Sequence, residues 1–200
     1  MSRPDRTPGA RARGFAHDER GAYAIEFAFF GSLLLAMMLI LMQYAVVHLA
    51  RQNLDTALQT ATRSLLTGTF QNDNIKSTDQ AAILASMRKL MCEGSQSPAV
   101  FFSCANLKVD VQVSTTFDNN LWNASAVDPK SGDWAKGFGA TYKCPSAQSI
   151  AVVRAGVKLP LLAPLFIKLG IDSFGDGAAM LQAASVFRVE PYQSANPAAC

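Results

Sequence analysis

Residues 20–47 decide the fold, because they combine a short polar junction with a long apolar run. The junction reads RGAYAIEF at 20–27, and the run FAFFGSLLLAMMLILM follows from Phe27 to Met42 with Ser32 as its only polar residue. Between residues 22 and 47, Glu26 is the only charged side chain. About 20 apolar residues cross the ~30 Å hydrocarbon core of a bilayer. The sequence therefore predicts that residues 22–47 are the transmembrane half of a long helix.

Two other interpretations of this run have to be weighed. One is a core helix of a globular domain. This is disfavoured, because a domain of 200 residues rarely contains a helix that is apolar on every face. The other is a secretory signal peptide, whose apolar region spans only about 7–15 residues before a small-residue cleavage site. Here the run is longer and continues into a helical pattern, so a membrane anchor is the better interpretation.

The charge distribution predicts which side of the membrane each part occupies. Five arginines lie in residues 1–21, whereas the whole chain carries a net charge of only +3, too little to argue for nucleic acid as a partner. Positive residues beside a membrane segment favour its cytoplasmic end. We expect a single-pass membrane protein with a basic cytoplasmic leader at 1–21 and residues 48–200 on the external side, which is the periplasm in a bacterium.

The helix continues beyond the membrane as its periplasmic half, residues 48–68. Val47, Leu54, Leu58, Ala61 and Leu65 form one apolar stripe at helical spacing, and Gly68 is a typical stop signal. The opposite side is expected to carry four polar residues: Arg51, Asp55, Gln59 and Thr62. At 1.5 Å per residue, a rod from residue 22 to residue 66 would be ~68 Å long.

Residues 69–200, the external or periplasmic domain, have the composition of a soluble α+β domain. STDQAAILASMRKLMC predicts a helix with Ser77 or Thr78 as its N-cap. Three strands are predicted in LKVDVQVSTTF, SIAVVRAGVKLP and LQAASVFRVEP; in the first, Asp110 is expected on the exposed face. The polar stretch FDNNLWNASAVDPKSGDWAKGFGA is expected to be a long surface loop, and LLAPLFIKLG a connection with a short helix.

The junction resembles a known processing pattern. A basic leader, Gly21, four residues, Glu26, an aromatic residue and an apolar helix are similar to type IV prepilins, and GAYAIEFAFF is more specifically similar to the TadE family, small pseudopilins of the Tad (type IVc) pilus system. ALQTATRSLLTG, which includes Arg63, resembles the helix end of that family, and VFRVEPY resembles its closing strand. This resemblance implies a pilin-like fold, a long N-terminal helix packed on a small antiparallel sheet.

The resemblance also implies a function. Gly21 would precede the bond to Ala22 that a membrane prepilin peptidase cuts, and Glu26 followed by Phe27 would serve processing or subunit pairing. Phe27 differs from the Glu-Tyr of major Flp pilins, and the external domain is far larger than theirs. The resemblance therefore implies a minor pilin or pseudopilin that assembles, with other Tad pilus subunits, a pilus used in adhesion and surface colonisation.

All four cysteines fall on the external side: Cys92, Cys104, Cys144 and Cys200. An even number in an oxidising compartment predicts disulfides, with three pairings open. Closing the short loop between Cys92 and Cys104 is the simplest pairing and resembles a pair often seen in the TadE family, which leaves Cys144 with Cys200. Zinc is not expected, because there is no C-x-x-C and the only external histidine, His48, abuts the membrane.

No enzyme or cofactor is predicted. Asp172 and Asp176 beside two glycines lack the spacing of an EF-hand calcium loop, and no histidine follows residue 48 to assist a nucleophile. The competing functional class is a signal-anchored periplasmic domain that binds a ligand or senses the envelope and never enters a pilus. The two interpretations differ at Gly21 and Glu26, which only the pilus interpretation requires.

Overall fold

The computed structural model describes residues 20–93, 101–114, 116–117, 124–160 and 174–191. The chain divides into an N-terminal unit, residues 1–44, and a C-terminal unit, residues 45–200. Its helices are α1 (Arg20–Leu66), α2 (Thr69–Asp73) and α3 (Gln80–Glu93), with a 3-10 turn at Cys104–Asn106. Its strands are β1 (Lys108–Ser114), β2 (Val127–Asp128), β3 (Asp133–Trp134), β4 (Ile150–Leu159) and β5 (Ala179–Arg188).

The described part of the N-terminal unit is a helix whose apolar side chains are exposed. Its exposed large apolar residues include Tyr23, Ile25, Phe27, Phe29, Phe30, Leu33, Leu34, Leu35, Met37, Met38, Leu39 and Leu41. Leaving each such side chain in water forgoes ~1.5–3 kcal/mol of burial energy. By length and composition, Tyr23–Leu66 is the one described helix that is suited to cross a membrane.

In the C-terminal unit, α1 packs against the core through the predicted apolar stripe. Leu54, Leu58, Ala61 and Leu65 are buried, and Val47 packs against the same cluster. The expectation that Thr62 lies on the exposed side is wrong, since it is 7% exposed. Its hydroxyl donates a 3.0 Å hydrogen bond to the carbonyl of Gln59, so burial leaves that hydroxyl satisfied within the helix.

The sheet is antiparallel with the order β1-β4-β5, which confirms the predicted α+β fold of a long helix on a small antiparallel sheet. Alternate side chains of β4 point to opposite faces. Val153, Ala155 and Val157 face the helices and share one core with α1 and α3. The other edge of β1 is covered by the segment around Tyr142, through a parallel bridge to Val111.

A second apolar layer covers the other face of the sheet, where a loop was expected. Within residues 124–140, β2 and β3 form an antiparallel pair, and Ala126, Val127 and Phe138 are buried. A Cβ atom on Gly156 of β4 would lie 2.9 Å from the Phe138 ring, so the layer sits directly on the strand. The expected long surface loop is therefore wrong for residues 124–140, because its few apolar residues are enough to pack on the sheet.

The N-terminus of α3 also differs from expectation. Asp79 caps it, instead of Ser77 or Thr78: its carboxylate accepts a 2.9 Å hydrogen bond from the N–H of Ala81. The carbonyl of Asp79 accepts the first helical bond, from Ile83. Aspartate is as good a cap as serine, and the sequence analysis placed the helix start one or two residues too early. The connection expected at LLAPLFIKLG lies in 161–173, outside the described residues.

Candidate functional site

Glu26 and Phe27, the predicted assembly pair, lie on an exposed part of α1. Both side chains are exposed, and Phe27 is 78% exposed. The surrounding surface is apolar, with Tyr23, Ile25 and Phe30 exposed on neighbouring positions. A carboxylate at the centre of a bilayer costs ~2.5–3.5 kcal/mol on insertion scales, and less near a boundary. A cation that approached Glu26 in lipid would therefore be bound more strongly than in water.

The predicted processing site lies in the first turn of the same helix. α1 begins at Arg20, so the bond between Gly21 and Ala22 belongs to that turn, which contains no acidic residue. The first four N–H groups of a helix lack intrahelical partners, and helix ends fray. Residues 22 and 26 are four apart, and therefore share one face of a helix. A new amine at Ala22 would stand one turn from the Glu26 carboxylate.

A shallow apolar groove runs along the same part of α1. It has a volume of about 670 Å³ and lies around Gly31, with Phe27, Phe30 and Leu34 among its lining residues. The only polar lining group, the Ser32 hydroxyl, donates a 2.9 Å hydrogen bond to the carbonyl of Phe29. Small residues allow a second helix to approach closely within a membrane. The surface around Gly31 is therefore suited to helix packing.

The C-terminal end of α1 is held by other parts of the C-terminal unit. The side-chain amide of Gln71 donates hydrogen bonds to the carbonyls of Leu65 (2.9 Å) and Pro145 (3.3 Å). The backbone N–H of Glu190 donates a 3.1 Å bond to the carbonyl of Leu66. The last carbonyls of a helix have no intrahelical donor. The Glu190 bond satisfies the carbonyl of Leu66, and the Gln71 bond adds to the 3.3 Å bond that the carbonyl of Leu65 accepts from the N–H of Gly68.

A buried ion pair joins two strands of the sheet. Asp110 of β1 and Arg154 of β4 are 1% and 7% exposed, with 2.9 Å between Nη2 and Oδ2. Gln112 donates to the same carboxylate at 2.8 Å, and the N–H of Thr141 donates to its other oxygen at 3.2 Å. The expectation that Asp110 faces solvent is wrong, because the layer at 124–140 covers that face.

Arg154 also ties that outer layer to the sheet. Its Nη1 donates a 3.3 Å hydrogen bond to the carbonyl of Ala124, and its guanidinium lies 5.3 Å from the centre of the Phe138 ring. A guanidinium can form directed hydrogen bonds and stack on an aromatic ring at once. The pair is therefore structural, and the sequence analysis missed it. The signal was a single charge inside an apolar strand at IAVVRAGV.

Cys92 and Cys104 form a disulfide, with 6.1 Å between their Cα atoms, so the end of α3 is tied to the turn before β1. Cys144 is disulfide-bonded as well. The cysteine expected to pair with it, Cys200, lies outside the described residues. The three described cysteines, Cys92, Cys104 and Cys144, all belong to the C-terminal unit and are all disulfide-bonded, which confirms the prediction of disulfides there.

The described residues offer no ready metal site: no group of three histidine, cysteine, aspartate or glutamate residues could hold an ion. Asp176, considered above for a calcium loop, instead accepts a hydrogen bond from Lys158, which lowers the pKa of the Asp176 carboxyl below its ordinary 3.8. Asp172 lies outside the described residues. Asp176 is therefore part of a surface ion pair in this structure.

Comparison with known proteins adds one match, and it falls on α1. A family model described as "TadE-like protein" matches residues 21–63, a stretch that includes Gly21, Glu26 and Arg63. No curated protein matches the chain, and no solved structure does. Together with the apolar helix, the match indicates a membrane-anchored protein associated with Tad pili. Residues 21–63 are a TadE-like segment, which confirms the family resemblance drawn from the sequence.

Proposed function

We propose that this protein is a TadE-like minor pilin or pseudopilin, a non-catalytic subunit for assembly of a Tad pilus that serves adhesion and surface colonisation. Residues 1–21 form its cytoplasmic leader, 22–47 the transmembrane half of the helix, 48–68 the periplasmic half, and 69–200 the periplasmic domain. It resides in the inner membrane and becomes pilus-associated through contacts with other subunits.

One observation carries this proposal: the family match includes the exposed apolar stretch of α1, residues 23–49, in which Glu26 is the only charged residue. The match covers residues 21–63, and Glu26 is the only charged residue between residues 22 and 50. A plain membrane anchor gains nothing from an acid at that position, and it would incur the cost of inserting it. A subunit that pairs with a neighbour gains a contact that is strong only in lipid.

The processing step supports the same role. A prepilin peptidase would cut after Gly21 and leave an α-amino group on Ala22, one helical turn from Glu26. That amine, from the same chain or from a neighbouring subunit, would neutralise the carboxylate within the membrane. The five arginines of the leader favour its retention on the cytoplasmic side, where the peptidase would meet it.

The test is Glu26→Gln in the full chain, expressed with a Tad assembly system. The variant keeps the size of the side chain and removes its charge, so it should insert in membranes at least as well as the wild type. Recovery of other pilus subunits with the tagged protein should fall about tenfold or more, the equivalent of ~1.4 kcal/mol. Piliation should fall with it, while the melting temperature of the C-terminal unit should stay unchanged.

Glu190→Gln is the matched control, because it removes an exposed carboxylate from the C-terminal unit and leaves the backbone donor in place. Normal assembly of the Glu26→Gln variant would make Glu26 a tolerated interfacial acid. Unprocessed chain, recovered without pilus subunits, would favour the signal-anchored ligand-binding or envelope-sensing domain. A lower melting temperature of the Glu26→Gln variant would contradict the expectation that Glu26 does not stabilise the C-terminal unit.

A further inference from the structure

A groove in the C-terminal unit lies where the end of α3 meets α2 and the last turn of α1. We call it the helix-end groove; it has a volume of about 530 Å³ and includes Ser64, Phe70, Asp73, Lys89, Leu90 and Glu93 in its lining. None of the features already described, the ion pair, the disulfide or the α1 surface, uses it. We therefore ask which kind of ligand the lining residues of this groove suit.

The groove carries an excess of negative charge. Asp73 and Glu93 contribute carboxylates, and Lys89 contributes the only cation of the lining. Lys89 reaches Glu93 at 3.8 Å, with both side chains about 70% exposed, so this pair is weak and open to competition. Glu93 is also the last residue of α3, whose last turn contains no basic residue. An acid there faces the negative end of the helix dipole, which an approaching cation would offset.

The floor of the groove is apolar. Phe70 is buried, with its ring 6.3 Å from the Tyr142 ring in the core, and Leu90 is partly buried against the same core cluster. A site with an apolar floor and carboxylates at its rim suits a long basic side chain, which buries its aliphatic stem and keeps its charged head at the rim. Arginine fits best, since its planar fork binds carboxylates through two hydrogen bonds.

We propose that the helix-end groove binds an arginine-bearing segment of a partner protein. The arginine stem lies over Phe70 and Leu90, and its guanidinium binds Asp73 and Glu93 in place of Lys89. The groove belongs entirely to the C-terminal unit, so the proposal goes beyond the pilus assignment and does not depend on it. Lys89 limits the affinity in this arrangement, because it competes with the incoming arginine for Glu93.

The experiment uses the full chain in nanodiscs of neutral phosphatidylcholine, titrated with the peptide acetyl-Leu-Arg-Leu-amide and followed by amide NMR. The matched probe replaces arginine by citrulline, which has nearly the same shape and no charge. We expect the arginine peptide alone to shift amides of residues 69–74 and 86–93. Asp73→Asn should weaken binding about two- to fivefold, the range of a partly exposed ion pair.

The opposite variant makes the test sharper. Lys89→Gln should tighten binding by a similar factor, which a disturbed fold would not do. Asp133→Asn, in the outer layer, removes a distant exposed acid and should leave binding unchanged; its side-chain oxygen still accepts from the N–H of Trp134. Equal binding of both peptides, shifts elsewhere on the molecule, or no gain from Lys89→Gln would each overturn the proposal.

Discussion

The backbone N–H of Glu190 donates a 3.1 Å hydrogen bond to the carbonyl of Leu66, the last residue of α1. This bond joins the two stretches that carried the family resemblance outside the membrane run, the helix end and the closing strand with its Glu-Pro sequence. Val189, just before it, is held by a 2.9 Å bond from its N–H to the carbonyl of Ser149. The segment after β5 thus closes the C-terminal end of the long helix.

Replacing Glu190 by proline should destabilise the C-terminal unit by ~1–3 kcal/mol. Proline removes the N–H donor and leaves the Leu66 carbonyl without a partner. Glu190→Ala is the control, because it keeps the N–H and removes only an exposed side chain, and it should change stability by less than ~0.5 kcal/mol. Thermal and denaturant unfolding of both variants measure the difference. Equal effects would show that the side chain matters and the backbone bond does not.

Breaking the buried ion pair should cost much more than replacing it. Asp110→Val or Arg154→Met alone leaves the other charge buried and unpaired, a loss of ~3–5 kcal/mol. The double variant Asp110→Val/Arg154→Met removes both charges and should recover part of that loss. Denaturant unfolding of the four proteins completes the cycle. If the single losses simply added, Asp110 and Arg154 would not be coupled.

Processing should yield a mature chain that starts at Ala22 in cells holding a prepilin peptidase. A bulky residue in place of Gly21 should crowd the bond that is cut and leave a precursor with its 21-residue leader. Mass spectrometry of the membrane-extracted protein measures both N-termini. Wild-type protein that keeps its leader in such cells would remove the main support for the pilin assignment.

Material exported to the periplasm should contain both disulfides, Cys92–Cys104 and Cys144–Cys200. The first closes a loop across a sequence separation of 12, and its double serine variant should lose ~3 kcal/mol in the loop-entropy account. Peptide mapping without reduction identifies the pairs, and unfolding measures the loss. Four free thiols in exported protein would contradict this expectation.

Periodicity and stop signals were enough to predict the long helix, its buried stripe, its end near Gly68 and the three main strands. These features depend on local helix and strand propensities and on the spacing of apolar residues, and both can be read directly from the sequence. The same rules failed at Thr62 and Asp110, because their burial depends on elements distant in sequence. In particular, the layer at 124–140 has a polar composition, and only the sheet beneath it shows why Phe138 is buried.

The candidate site, too, was only partly predictable from the sequence. Gly21, Glu26 and Phe27 could be proposed from the sequence because they lie in one short pattern in front of an apolar run, and their roles stay predictions. The Glu190 bond to the end of α1 was not, since a backbone donor 124 residues away from its acceptor leaves no mark in the local sequence. Long-range polar contacts of this kind depend on the finished topology.

Asp110 and Arg154 stand directly opposite each other in the β1–β4 ladder. If β1 slipped along β4 by two residues, the apolar faces would still match, but the charges would separate by ~7 Å and each would be buried alone. A slip by one residue would turn Asp110 towards the helix side of the sheet. The ion pair therefore makes the native register more stable than a two-residue shift that hydrophobic burial alone would accept.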